Sequence, residues 1–245
     1  MQRRIDRGAW VAGITWRDIA DRVCAGAIGI LPVGAACKEH GLHLPMNTDQ
    51  LQAEWLAEHL AQKDNVLIWP TLTYGSYPVF VDYPGSCSLE DDTFSRNVYE
   101  ILQCICNSGV RRIIIINTGI STIPPLQAAL ARLFRDVHVK LFNAYSGQHF
   151  SQVRRALEEQ DNGTHADEIE TSIMLALAPQ LVDMDKAGGE GLMNRQRGPL
   201  NRLDPEKPNY SPTGVIGNAS LASALKGRKL IKAILADLQE CISAS

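Results

Sequence analysis

The sequence predicts an α/β protein whose parallel sheet is covered by helices on both faces. Two observations carry this. Continuous apolar, β-branched runs alternate with amphipathic helical stretches, and the polar, loop-forming motifs follow the strands. The strands are AIGILPV (27–33), NVLIWP (65–70), RRIIIIN (111–117) and HVKLFNA (138–144). Helices are expected between them, from about Asp49 to Gln62, Leu89 to Cys106 and Ile123 to Phe134, which makes the order βαβαβαβ. Further helices are expected from about His165 to Leu177 and Leu221 to Ile242, with a long Gly-, Pro- and Asn-rich loop region over 183–218. Open parallel sheets collect ligands at the carboxyl ends of their strands, so the functional residues belong in the loops that follow.

A chain of 245 residues with no linker, repeat or low-complexity tract reads as one domain over 1–245. Hydrophobic residues make up 45% and charged residues 21%, ordinary globular usage. The net charge of −3, with acids and bases interspersed, provides no basic field for nucleic acid or an anionic membrane. The amino-terminal segment is broken by Arg17, Asp18, Asp21 and Arg22 and has no secretory h-region. The longest uncharged, mostly apolar run, Ala25 to Cys37, falls well short of the roughly 20 residues that span a bilayer. Six cysteines without a CxxC pair or a regular framework fit the cytosol. Cys104 and Cys106 read as small buried hydrophobes, and nothing near Cys37 specifies a thiolate nucleophile.

Glu39, His40, His43 and Asp49 fall within eleven residues directly after the first strand. Carboxylate oxygens and imidazole nitrogens so placed suit Zn²⁺ or Mn²⁺. Asp49 is equally readable as the N-cap of the following helix. A second concentration, THADEIETS, opens a later helix. There Thr164 and Asp167 resemble a capping box, which places His165 in the first turn and Glu168 one turn after it, with Glu170 turned away by about 140°. The field of a helix amino end tends to keep such a histidine neutral, which suits a proton acceptor.

Four segments resemble the creatininase family. LPVGAACKEHGLHLPMNTD is similar to its LPVG strand end followed by E-Q-H-G-P-H-L-P and an aspartate; HADEIETSIMLALAP resembles its H-A-G-E-x-E-T-S helix, departing at Asp167. YPGSCSL (83–89) is similar to its F-P-G-T-x-S-L turn, and SPTGVIGNASLASALKGRKL (211–230) to its carboxyl-terminal segment. The resemblance runs from about residue 17 to 240. It implies a three-layer αβα fold, commonly hexameric, with a two-metal site that hydrolyses the C–N bond of a cyclic or linear amide. On that basis His40 and Asp49 match metal-binding positions, Asp49 bridging the two ions. Glu170 matches an acid of the site, and His165 a residue that shuttles a proton, with Glu168 beside it as a second catalytic candidate. His43, Tyr83 and Ser121 are the candidate substrate contacts.

Three departures from the family pattern stand out. Lys38 occupies the place of the family's metal-binding glutamate, and one extra residue between Gly34 and His40 leaves a bulge to bring Glu39 to the metal instead. Gly119, in NTGIST, stands where the family has a ligating histidine. Val79 and Phe80 replace its Glu-His pair. The expected protein is therefore a cytoplasmic, homo-oligomeric (hexameric or trimeric) metal-dependent amidohydrolase holding one or two Zn or Mn ions and acting on a small amide. A formamide hydrolase and a metal-poor binding protein are the alternatives.

Overall fold

Sheet and helices follow from the alternation of apolar runs in the chain. In the computed structural model, residues 7–62, 65–133, 137–189 and 196–243 are described. Five strands, β1 (Ala9–Trp10), β2 (Ile28–Val33), β3 (Val66–Ile68), β4 (Arg112–Asn117) and β5 (His138–Asn143), form one sheet in the order β1-β3-β2-β4-β5. Every pairing is parallel, with Ile30 of β2 in register with Ile68 on one side and Ile114 on the other.

Side chains of a strand alternate between faces, and β4 splits its isoleucines accordingly. Ile114 and Ile116 point into a cluster with Leu56 of α2 (Thr48–Ala61), Phe150 of α5 (Gln148–Leu157), Ile169 and Ile173 of α6 (Glu168–Leu177) and Ile234 and Leu238 of α7 (Ala224–Ser243). Ile113 and Ile115 point into the opposite cluster, with Phe94, Val98 and Leu102 of α3 (Asp91–Asn107) and Leu126 of α4 (Ile123–Leu130). Helix, sheet and helix are thus three layers with a core on each face. No helix among the described residues is long and apolar enough to cross a membrane.

The order also fixes where a ligand belongs. β2 and β4 are neighbours, yet the chain leaves β2 towards β3 on one side and β4 towards β5 on the other. Their carboxyl ends therefore open a crevice, lined by the loops over 34–47 and 118–122.

Several elements differ from the sequence expectation. The α6 helix begins at Glu168, three residues late, because Asp167 rather than Thr164 is its N-cap and accepts hydrogen bonds from the amides of Ile169 and Glu170 at 2.9 Å. His165 lies outside the helix, in a bridge to Ile216. Asp49 is the second residue of α2 and not its cap. Helices α5 and α1 (Trp16–Cys24), the latter opened by a Thr15/Asp18 capping box, were not anticipated.

Candidate metal and active site

Two close backbone approaches assemble the site. A Cβ on Gly34 would meet the Asp49 carbonyl oxygen at 2.4 Å, so only glycine lets the end of β2 lie against the first turn of α2. Gly214, at φ +83, lies so close over the Glu39 side chain that a Cβ there would sit 2.1 Å from the carboxylate. Ala166 is a third special position, a buried non-glycine residue at φ +47. This left-handed turn separates His165, which faces the site, from Asp167, which caps α6. The Ala166 amide donates to Glu170 Oε2 at 2.8 Å.

His40 is fully buried. Its Nδ1 lies 2.9 Å from the Lys38 carbonyl oxygen, and a carbonyl only accepts, so Nδ1 carries the hydrogen. Its Nε2 lies 3.3 Å from Asp49 Oδ1 and 3.7 Å from Glu170 Oε1. The His165 ring is held in the same manner. Nε2 sits 2.9 Å from the Glu39 carbonyl oxygen and 3.1 Å from Glu39 Oε2, while Nδ1 faces Glu170 Oε2 at 3.7 Å. Each imidazole therefore donates from one nitrogen and aims its other nitrogen at carboxylate oxygens. A neutral lone pair pointed at an anion is repulsive, so this arrangement requires either a cation between the groups or a proton on the second nitrogen. Donor atoms of His40, His165 and Glu170 all lie within 4.8 Å of one another. Two imidazoles and a carboxylate suit Zn²⁺ or Mn²⁺, and three protein ligands leave open the coordination position that a catalytic ion needs.

Lys38 completes the cluster from the side. Its ammonium lies 2.6 Å from Asp49 Oδ2, both side chains being buried, and 5.3 Å from the centroid of the Phe80 ring. Burial opposes the ionised form of Asp49, but the Lys38 ammonium holds its carboxyl well below the usual range. Burial likewise lowers the Lys38 amine, and Asp49, Glu170 and Glu39 overcome that and raise it. Glu39 is depressed despite burial, by His165 and the Gly41 amide. Its carboxylate meets the donating nitrogen of His165, not the nitrogen that faces Glu170. The bulge thus turns Glu39 into a partner that orients His165.

A cleft of about 380 Å³ opens beside the cluster, lined among others by Lys38, Phe80, Ser121, Tyr145, His165 and Glu170. Phe80 packs against the His165 ring at a centroid distance of 4.2 Å, the two planes tilted by 42°. Ser121 is in this lining, and the other two expected substrate contacts are not. The His43 Nε2 is 2.8 Å from Thr171 Oγ1, burial keeps its pKa below the ordinary value, and Tyr83 donates its hydroxyl to the Ser211 carbonyl at 2.6 Å. Both anchor loops around the site.

Glu168 is also elsewhere. One of its oxygens accepts from the amides of Glu159 and Gln160 at 2.9 and 2.8 Å, and the other lies 2.5 Å from the Lys226 ammonium. With both oxygens engaged in a fully buried setting, Glu168 ties α6 to α7 and to the loop after α5. Lys226→Met strands this carboxylate, and we expect a loss of about 2 kcal/mol of stability by chemical denaturation, with metal content unchanged. Unchanged stability would show that the pair is not the anchor.

A second group of donors, His149, Asp237 and Glu240, lies on the surface between α5 and α7. There Asp237 already accepts from the amides of His149 and Phe150, which caps α5.

Sequence reasoning missed Lys38 as a member of the site; Phe80 is legible as an apolar replacement in the pocket, but its contacts with Lys38 and His165 are not. Only the displaced family glutamate hinted at the first.

Comparisons with known proteins agree with the fold. The family model described as Creatininase, creatinine amidohydrolase, matches residues 12–242. Creatinine amidohydrolase of Pseudomonas putida is 26% identical, covering 97% of each chain. The 3-dehydro-scyllo-inosose hydrolase of Thermotoga maritima is 26% identical over 96% of this chain and 83% of its own. A mycofactocin precursor peptide peptidase of Mycolicibacterium smegmatis is 24% identical over 82% and 78%. Among solved structures, a creatininase point mutant has a TM-score of 0.82 at 26% identity, covering 96% of this chain and 98% of its own. One named "Creatininase Mn" scores 0.80 at 26% with the same coverage, and a creatininase of "Zn-Zn type" scores 0.78 at 26%, covering 95% and 96%. With the family match running through nearly every element of the sheet and both halves of the site, the chain belongs to the creatininase family.

Proposed function

We propose that the protein is a metal-dependent hydrolase of a C–N bond in a small amide, working at the cleft between the β2 and β4 loops. One observation carries this reading. Two buried imidazoles each donate to a backbone carbonyl and turn their other nitrogen towards Asp49 and Glu170, and such a site is stable with a cation among them. A divalent ion there supplies Lewis-acid polarisation of a carbonyl and lowers the pKa of water. Creatinine amidohydrolase, among its relatives, acts on an amide, which supports the bond type.

The residues around the ion divide the remaining work. His40, His165 and Glu170 hold it, and Asp49 supports His40. Glu39 fixes the tautomer and orientation of His165, as outer partners of ligating histidines do. The pinned nitrogen of His165 favours this ligand role over the proton shuttle implied by the family resemblance. Lys38 and Ser121 face the cleft as polar groups for the substrate, and the buried Phe80 and Ile216 exclude water around them.

The rival is a metal-free binding protein in which both imidazoles are protonated and pair with the carboxylates directly. Elemental analysis of protein purified without chelator decides between the two. The hydrolase reading expects about one Zn or Mn per chain, and below about a tenth of an ion it fails. A screen of cyclic, formyl and peptide amides then separates the substrate classes, and turnover of none of them by metal-loaded protein would count against an amidohydrolase. The reading includes assembly of several copies, since four of the eight exposed large apolar residues among the described ones, Leu42, Tyr74, Val81 and Ile120, lie on loops at this one end of the sheet. Light scattering that reports a monomer at micromolar concentration would remove assembly from it.

A further inference from the structure

Three buried carboxylates face the cluster, Glu39, Asp49 and Glu170, and one buried ammonium, Lys38. The two imidazoles are neutral when each donates from one nitrogen and ligates with the other. The charge of the cluster is then +1 − 3 = −2. A single divalent ion neutralises it, whereas a second would leave +2 in a buried site, and uncompensated buried charge is costly.

Space points the same way. Beside the Lys38–Asp49 pair, towards Gly119, Tyr77 and Thr122, the enclosed free volume is about 10 Å³. That is about the room of one water and less than an ion needs if it keeps its hydration shell. Gly119 contributes no side chain there, and a Cβ on it would come within 2.8 Å of the Thr122 hydroxyl, which donates to Asn117 Oδ1 at 2.7 Å. Lys38 also borders the main cleft together with His165, Glu170 and Ser121.

We propose that the Lys38 ammonium is the second cation of this site: it takes Asp49 as its counter-ion, restricts the protein to one divalent metal, and presents a fixed positive charge to the substrate's carbonyl oxygen. The two-ion expectation drawn from the family resemblance does not fit these residues. A fixed ammonium beside a single ion stabilises negative charge developing on that oxygen without a second metal having to be recruited. The inference rests on the metal reading above and goes beyond it in number of ions and in the role of Lys38.

The test is metal stoichiometry and affinity, read without any substrate. Full-length protein is stripped, titrated with Zn²⁺ and measured by elemental analysis after desalting. The wild type is expected to retain one ion per chain. Lys38→Glu, purified in excess zinc, is expected to retain two, since its four carboxylates give −4 and the new side chain reaches the same Asp49. Because Lys38→Glu sets two carboxylates side by side and is at risk of misfolding, Lys38→Gln serves as a companion. It keeps a hydrogen-bond donor for Asp49, removes the neighbouring positive charge, and should bind its ion at least about tenfold more tightly. Two ions on the wild type would overturn the inference and leave the metal reading standing. One ion on folded Lys38→Glu, or unchanged affinity in Lys38→Gln, would also overturn it. No ion on any of the three proteins would overturn the metal reading and this inference with it.

Discussion

Replacing His40 by alanine is expected to weaken metal binding by more than about 100-fold, and to reduce turnover of any amide substrate by at least as much. Disturbing an outer-shell partner alone costs 10–100-fold in affinity, and His40 is read as a direct ligand. It is fully buried, its Nδ1 is spent on the Lys38 carbonyl, and its Nε2 is the atom aimed at both Asp49 and Glu170. The fold is expected to survive its loss. The Lys38–Asp49 pair does not pass through the ring, and neither core cluster contains it. His40→Gln, which refills most of the space, should therefore show a native circular-dichroism spectrum and the same metal defect. Full metal occupancy in either variant would remove His40 from the ligand set and with it the arrangement proposed above.

How far the sequence reveals this site depends on whether a contact is local. The apolar runs of β2, β3, β4 and β5 announce themselves because buried parallel strands are apolar throughout, and their limits agree with the structure to within about two residues at most ends. Two-residue β1 carries no pattern to read. The α5 helix, QHFSQVRRAL, places Phe150, Val153 and Leu157 on one face, a legible signal that its polar surroundings obscured. The α1 helix has a readable start in Thr15 and Asp18, but its nine residues are too few for a clear apolar period.

The head of α6 shows a different limit. Thr164 and Asp167 have the spacing of a capping box, yet Asp167 alone caps, because Gln160 donates to its other oxygen at 2.8 Å and Ala166 turns left-handed. That three-residue shift decides which acid serves the site. Glu170, in the first turn, reaches His40 and His165, and Glu168 faces Lys226 of α7, 58 residues further on. Likewise the replacement of a family glutamate by Lys38 is visible in the sequence. That its ammonium folds back onto Asp49, eleven residues away, follows from the path of the 34–47 loop and is written in no local pattern.

His165→Ala separates two roles that the same residue is given by two lines of reasoning. If His165 shuttles a proton, as the family resemblance implies, its loss lowers turnover by about 10²–10⁴-fold and leaves the metal in place. If Nδ1 ligates, as the geometry favours, turnover and metal fall together. We expect the second result, with metal affinity reduced by more than about 100-fold, because a proton shuttle needs a nitrogen free to take up and release a proton. Here Nε2 is fixed between the carbonyl and carboxylate of Glu39 at 2.9 and 3.1 Å, and Nδ1 points at Glu170 and not into bulk solvent. Glu39→Gln provides the intermediate case. It keeps the Glu39 carbonyl as acceptor but weakens the hold on the ring, so metal affinity should fall by the 10–100-fold typical of an outer-shell partner and by less than in His165→Ala. Metal content and turnover measured on the same preparations settle the assignment: retained metal with lost turnover in His165→Ala makes the residue a proton carrier, and parallel loss of both, graded through Glu39→Gln, makes it a ligand.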